Sequence, residues 1–317
     1  MLAGLAPGAN AGAVTVTQDF SSDPVAAGWS VVGETNLFFW DSTSQNLRVT
    51  WDSSQTNSYF FLPLGTIVTR DDDFQLSFDL TFEDYYSGTT PGKPYAFPAA
   101  IGFLNLNQAT QTNFSRGVGI NATYGAKNLV EFDFFPAFDI YSPTIAQVVV
   151  STNNAWLYNH LNLLDMPPGD LFHIAMSYAA ATHSLTTATT RNGLPYGQTQ
   201  TIVVDANHDF RVNTVSVSSY SDQQADSSLL AHGILDNFVV TVPAPPVENC
   251  SGNFTNGNWQ AKFTGRSNWL YTLERTADFQ SWTDVCAATS GDSTNMFLSD
   301  TNAVADKAFY RVKAERP

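Results

Sequence analysis

Glu131 and Asp133 stand two residues apart in the apolar run Leu129–Phe135. In a strand, residues i and i+2 point the same way, so both acids would share one face. Two carboxyls about 5–5.5 Å apart can split a glycosidic bond, one as nucleophile and one as acid/base. Hard oxygens of this kind can also ligate a cation. Phe135 and Pro136 follow, so no third carboxylate continues the face. As catalytic residues, Glu131 and Asp133 therefore need a partner from elsewhere, and Asp79, Glu83, Asp84 and Asp139 are the candidates. The competing reading is structural, with both acids hydrogen-bonded to neighbouring strands.

A second chemistry is stacking. Aromatic rings with a polar tip offer flat apolar area to the CH faces of sugars. Tyr85, Tyr86, Tyr95, Tyr124, Tyr141, Trp156 and Tyr158 fall in expected loops or strand ends, with Asp139 as a polar partner. They are candidate ligand-binding residues; the alternative is that they cap the core. Asp71, Asp72 and Asp73 read as a solvated loop. The five histidines lack metal spacing, and His173, on an apolar run, reads as a satisfied core residue. There is no G-x-S-x-G elbow and no glycine loop opening a helix.

The elements that must position these groups are strands. Phe74, Leu76, Phe78, Leu80 and Phe82 alternate with Gln75, Ser77, Asp79 and Thr81, the pattern of a strand with one buried face. Many similar runs are bounded by Gly, Pro, Asn, Asp and Ser, and no window carries a helical stripe. The expected class is all-β, built from two packed sheets. Of the 317 residues 43% are hydrophobic and 13% aromatic, enough for a packed core. The net charge is −15 with only 14 Lys and Arg, which excludes nucleic acid and anionic membrane surfaces as partners. No apolar run is long enough for a membrane-spanning helix.

Pro243-Ala-Pro-Pro246 reads as a linker. Residues 1–244 carry a net charge of −14, and residues 245–317 a net charge of −1. The expected division is a domain over 14–244 and a small β domain over 245–317. Residues 1–13 read as a signal remnant or a disordered terminus, since Ala11-Gly12-Ala13 resembles a signal-peptidase site. Cys250 and Cys286 both fall in the small domain. They are expected to form a disulfide worth about 2–4 kcal/mol, in keeping with export; two buried free thiols are the alternative.

In order along the chain, FQLSFDLTF, AAIGFLNL, GVGI, LVEFDFFPAFDIYSP and VVVST resemble the L-type lectin branch of the concanavalin A-like lectin/glucanase superfamily. The run Leu171–Gly193 is similar to a strand pair of the same family. The resemblance implies a jelly roll of two large antiparallel sheets, with ligands on a concave face or its rim loops. It also implies paired metal ions at a Glu-x-Asp strand. Glu131 and Asp133 match, and Phe135 can supply a carbonyl. Ala137, Ser142 and Gln147 stand where the family has Asn, Asp and His, so the double-metal site is expected to be lost. A structural calcium where the first and last strands meet, at Asp19 and Asp236, is the cofactor the resemblance leaves; the competing reading is a salt or hydrogen-bond role in the fold alone. YTLERTADFQSW and FYRV resemble small C-terminal modules of secreted bacterial proteins.

The expected function is a secreted carbohydrate-binding protein that recognises a polysaccharide through loop aromatics. A glycoside hydrolase using Glu131 and Asp133 is the second reading, and a cell-surface adhesion or structural protein the third.

Overall fold

The computed structural model describes residues 12–117, 125–136, 143–162, 164–304 and 307–317, without the side chains of 160–162. The chain divides into two compact units, the first ending at Pro243 and the second running Ala244–Pro317.

In chain order the first unit contains β1 (Ala13–Gln18), β2 (Ser30–Val32), β3 (Phe38–Asp41), β4 (Asn46–Asp52), β5 (Ser58–Thr69) and β6 (Phe74–Ser87). There follow β7 (Tyr95–Ala96), β8 (Ala99–Leu104), β9 (Leu129–Phe135), β10 (Thr144–Val150), β11 (Trp156–Asn162) and β12 (Phe172–Ala179). The unit ends with β13 (Ser184–Arg191), β14 (Leu194–Pro195), β15 (Gln200–Val203), β16 (Arg211–Ser219) and β17 (Ser227–Pro243).

Among the described residues these strands form two large sheets. One runs β14-β13-β12-β6-β17-β4-β3, with β1 and β7 added on β17 and β15 on β13. The other runs β11-β10-β9-β8-β16-β5-β2. Apolar residues from both sheets meet in a single core. Phe78 of β6 lies edge-on to Phe132 of β9 at 5.8 Å, Phe74 meets Phe103 of β8 at 5.1 Å, and Phe82 meets Phe134 at 5.1 Å. The alternating residues Phe74, Leu76, Phe78, Leu80 and Phe82 are all buried, as their spacing requires. The first unit is therefore a β-sandwich of largely antiparallel sheets. Its first strand pairs with its last along Ala13–Gln18 and Phe238–Pro243.

The sandwich fixes which residues can cooperate. Phe132 and Phe134 face the core, so Glu131 and Asp133 face outward from the second sheet. Phe78 and Leu80 face the core, so Asp79 faces outward from the first. Two packed sheets, about 10 Å apart, separate the two sets.

The second unit holds β18 (Glu248–Thr255), β19 (Asn258–Thr264), β20 (Leu270–Thr276), β21 (Thr283–Asp284), β22 (Thr289–Ser290), β23 (Asn295–Asp300) and β24 (Phe309–Glu315). One sheet is β18-β19-β23; in the other, β20 pairs with β24 on one side and with β21 and β22 on the other. Phe263, Trp269, Tyr271, Leu273 and Leu298 are buried in this unit, and Trp259 stacks on Tyr310 at 4.1 Å. The expected disulfide is corrected, because Cys250 and Cys286 are both free. Cys250 is exposed on the edge strand β18, whereas Cys286 lies beside β20, where its Sγ accepts a hydrogen bond from Leu273 N at 3.3 Å. Cys250 thus belongs to the first of these sheets, and Cys286 to the connection between β21 and β22 of the other.

Candidate functional site

On the outer face of the second sheet, Glu131 and Asp133 do share one side of β9, but neither reaches solvent. They are 1% and 0% exposed. The segment 105–117 folds over this face. Tyr59 Oη donates to Ala109 O at 2.9 Å and Asn57 Nδ2 to Phe114 O at 3.3 Å, which ties the segment to β5 and its approach. That segment delivers Arg116. Its Nε donates to Glu131 Oε2 at 2.9 Å, its Nη2 donates to Asp133 Oδ2, and Tyr220 Oη donates to Glu131 Oε1. The guanidinium lies 4.8 Å from the Trp156 ring centroid and 5.8 Å from that of Tyr220. Gly102 of β8 sits opposite Glu131, and any Cβ there would come within 2.3 Å of Val130 O.

Burial dominates the electrostatics of this cluster. It pushes the Asp133 carboxyl up to about 8, against the pull of Arg116 and with a further push from Glu131. Burial, then the Glu131 charge, raises Tyr220. Burial lowers Arg116, but Asp133 and Glu131 outweigh it and hold the guanidinium charged. Asp133 Oδ1 is buried with no hydrogen-bond partner among the described residues.

A carboxyl raised on folding keeps its proton where the unfolded chain has lost it. Its contribution to stability is full below about pH 4 and is lost as pH rises through 8. Asp133→Asn is expected to flatten this fall in stability with rising pH. Chemical denaturation of both proteins across that range measures it.

The catalytic reading of Glu131 and Asp133 is corrected on this geometry. Both are sealed from solvent and held by one arginine, so a glycosidic bond has no access to them. Their candidate partners lie elsewhere. Asp79 hydrogen-bonds His173 at 2.7 Å, Asp84 hydrogen-bonds His232 at 2.6 Å, and Glu83 pairs with Arg48, all along β6 in the other sheet. Asp139, Tyr124 and Tyr141 lie outside the described residues.

The residues do not fit the paired metals that the resemblance implies. A guanidinium fills the space between the two carboxylates. Gln147, in the family's histidine position, faces the core, where its Nε2 donates to Thr187 Oγ1 at 2.8 Å. Asp19 and Asp236 do lie near each other at the β1–β17 pairing. However, Asp19 Oδ1 accepts from Ser21 N at 3.0 Å and Asp236 Oδ1 from Asn237 N at 2.7 Å. Burial raises the Asp236 carboxyl, and the charges of Asp79 and Asp19 add to it. Among the described residues no three His, Cys, Asp or Glu are grouped to hold a metal ion. The calcium expected at Asp19 and Asp236 therefore lacks a ligand set.

The described aromatics do not converge either. Tyr85 Oη donates to Asp165 Oδ1 at 2.9 Å, and its ring packs on Phe82 and Phe134. Trp156 covers Arg116, and Tyr158 is half-buried on β11 in the second sheet. Tyr86 and Tyr95 are exposed, but on the first sheet.

One open feature among the described residues is a trough on the outer face of the first sheet, a cavity of about 380 Å³. Its floor is a row of small side chains in cross-strand register: Val239 of β17, Ser77 of β6, Ala175 of β12 and Ala188 of β13. One wall is the next row, Thr241, Gln75, Ser177 and Thr186. The other wall holds Asp79 and His173. The His173 side chain is 46% exposed, which corrects the core assignment; Phe172 and Ile174 face the core instead. Asn237 Nδ2 donates to Asp79 Oδ2 at 2.8 Å, so Asp79 is held from both sides. The polar wall continues beyond the cavity. Thr15 Oγ1 is 2.9 Å from Thr241 Oγ1, and Thr201 Oγ1 is 3.0 Å from Thr186 Oγ1. Thr15, Thr241, Gln75, Ser177, Thr186 and Thr201 thus span six adjacent strands, roughly 24 Å at the usual strand spacing. The alternation of β6 already pointed Gln75 and Ser77 outward, but the sequence held no signal that β12 and β17 would be its neighbours.

No family model matches the chain, and no curated protein matches it. Among solved structures, the first unit is similar to legume lectins. Peanut lectin shares 18% identity over 73% of this chain and 99% of its own, with a TM-score of 0.47. Lectin I-B4 from Griffonia simplicifolia, in a metal-free form, shares 14% over 72% and 99%, with a TM-score of 0.45. The winged bean acidic lectin, complexed with methyl-α-D-galactose, shares 12% over 73% and 98%, with a TM-score of 0.43.

Proposed function

We propose that the chain is an exported carbohydrate-binding protein that holds an extended, neutral polysaccharide in the trough across β17, β6, β12 and β13. The trough itself carries this reading. Its walls offer hydroxyl and amide groups that both donate and accept. Its floor offers Ala175, Ala188 and Val239 to the CH faces of a sugar ring. Its lining has no Lys or Arg, and Asp79 is matched by His173. A polyhydroxylated, uncharged ligand answers that mixture, and an anionic one does not. The hydroxyl row over six strands favours a chain of sugars over a single one. Hydrogen bonding replaces the loop-aromatic mode expected from the sequence, because the described members of that set, Tyr85, Tyr86, Tyr95, Trp156 and Tyr158, do not gather around one cleft. Export is part of the proposal and rests on the Ala11-Gly12-Ala13 stretch.

The test is incubation with a panel of insoluble neutral polysaccharides. The expected result is retained protein, no new reducing ends, and unchanged retention for Glu131→Gln. New reducing ends that disappear in Glu131→Gln would favour hydrolysis instead.

A further inference from the structure

The polar row of the trough has a period, and that period selects a ligand shape. Thr15, Thr241, Gln75, Ser177, Thr186 and Thr201 stand in cross-strand register, one on each of β1, β17, β6, β12, β13 and β15. Neighbouring members are therefore one strand spacing apart, about 4.8 Å. We infer that the trough takes a linear, equatorially linked chain of the β-1,4 type, lying at right angles to the strands with one sugar per strand along the row. The inference rests on the trough being a polysaccharide site, and it adds the linkage, the direction and the length of the chain.

In a chain linked through equatorial bonds the sugars run nearly in line. Each advances by about the distance between strands, roughly 5 Å. A chain with axial links coils instead, and within a few sugars it would leave the row. The floor sets the direction. Val239, Ser77, Ala175 and Ala188 run across β17, β6, β12 and β13, so the furrow crosses these strands rather than following one of them. Residues on one face of a strand recur about 6.8 Å apart, which sets the polar row beside the floor at that distance. The chemistry of the row also suits a ribbon. Successive sugars in such a chain are turned over relative to one another, so each presents different hydroxyls to the same wall. Thr and Ser hydroxyls and the Gln amide both donate and accept, so one wall answers both orientations. The ends are defined as well. Thr15 is tied to Thr241 at 2.9 Å and Thr201 to Thr186 at 3.0 Å. Among the described residues neither β1 nor β15 pairs with a further strand, so the row stops there.

Isothermal titration calorimetry on the full chain tests this. The probes are soluble β-1,4-linked oligomers of glucose, mannose, xylose and N-acetylglucosamine, and α-1,4-linked oligomers of glucose, each from three to seven units. At least one β-1,4 series is expected to bind. Its affinity is expected to rise roughly two- to tenfold with each sugar up to the sixth and to stay level at the seventh. The α-1,4 series is expected not to bind. Thr15→Val and Thr201→Val, at the two ends of the row, are each expected to weaken the six-unit oligomer roughly two- to tenfold. Both should leave the three-unit oligomer unchanged, because a short chain can sit over the floor without reaching either end. Preference for the α-1,4 series, affinity already level at three units, or end variants that weaken short and long oligomers equally would overturn the inference and leave the polysaccharide reading standing. Binding of none of the oligomers also overturns it. Retention on an insoluble polysaccharide that Ala175→Trp abolishes would then keep the trough as the site, and no retention at all would end both.

Discussion

Ala175→Trp is expected to abolish retention on the bound polysaccharide, by a hundredfold or more, while leaving the melting temperature unchanged. Ala175 is in the middle of the trough floor, between Ser77 and Ala188 in cross-strand register. An indole there stands up between the two polar walls and fills the space a sugar ring would take. Each hydrogen bond to a neutral ligand is worth about 0.5–1.5 kcal/mol. Blocking several together therefore exceeds the roughly 2.8 kcal/mol that separates a hundredfold change in affinity. The fold should tolerate the change. The side chain points to solvent, tryptophan suits a strand, and surface substitutions usually stay within about 0.5 kcal/mol. Retention assays with parallel melts measure both halves. Unchanged retention would move the ligand away from this face.

Arg116→Met is expected to have the largest effect on stability, a loss of about 3–5 kcal/mol from the first unit. The methionine keeps apolar contact with Trp156 and Tyr220 but strands the Glu131 carboxylate without its counter-ion and takes the hydrogen-bond donor from Asp133. Breaking a buried pair from one side costs this much because the remaining charge is stranded. Neutralising both acids as well, with Glu131→Gln and Asp133→Asn, is expected to restore most of the loss, since replacing a whole buried ionic group is often neutral. Denaturant titration followed by tryptophan fluorescence compares the three proteins. A single variant as stable as wild type would mean that the arginine carries no such burden.

Much of the sandwich is legible in the chain, because period-two patterning is a local signal. The alternation in Phe74–Ser87 correctly divides core from surface, and the shared face of Glu131 and Asp133 follows from their spacing alone. What surrounds that face is not legible. Arg116 comes from a segment without periodic pattern, and nothing near Glu131 announces that a guanidinium will reach it. His173 was misassigned for a related reason. Its apolar neighbours Phe172 and Ile174 mark the strand, but a one-residue shift in phase decides whether the imidazole faces core or solvent. The trough was the least visible feature. It depends on β6 pairing with β12 and β17, strands roughly 90 to 160 positions away in sequence. Only that register turns scattered Ser, Thr, Gln and Ala residues into rows. The two cysteines share one small unit, yet Cys250 lies on β18 and Cys286 between β21 and β22, and both are free.

Hydrogen exchange read by mass spectrometry, with and without a soluble oligosaccharide of the retained polysaccharide, tests the central claim most directly. Protection is expected over Gln75–Asp79, His173–Ser177 and Thr186–Ala188, with none added at Leu129–Phe135 or Trp156–Tyr158. Protection confined to those last two strands, or to the second unit, would contradict the account.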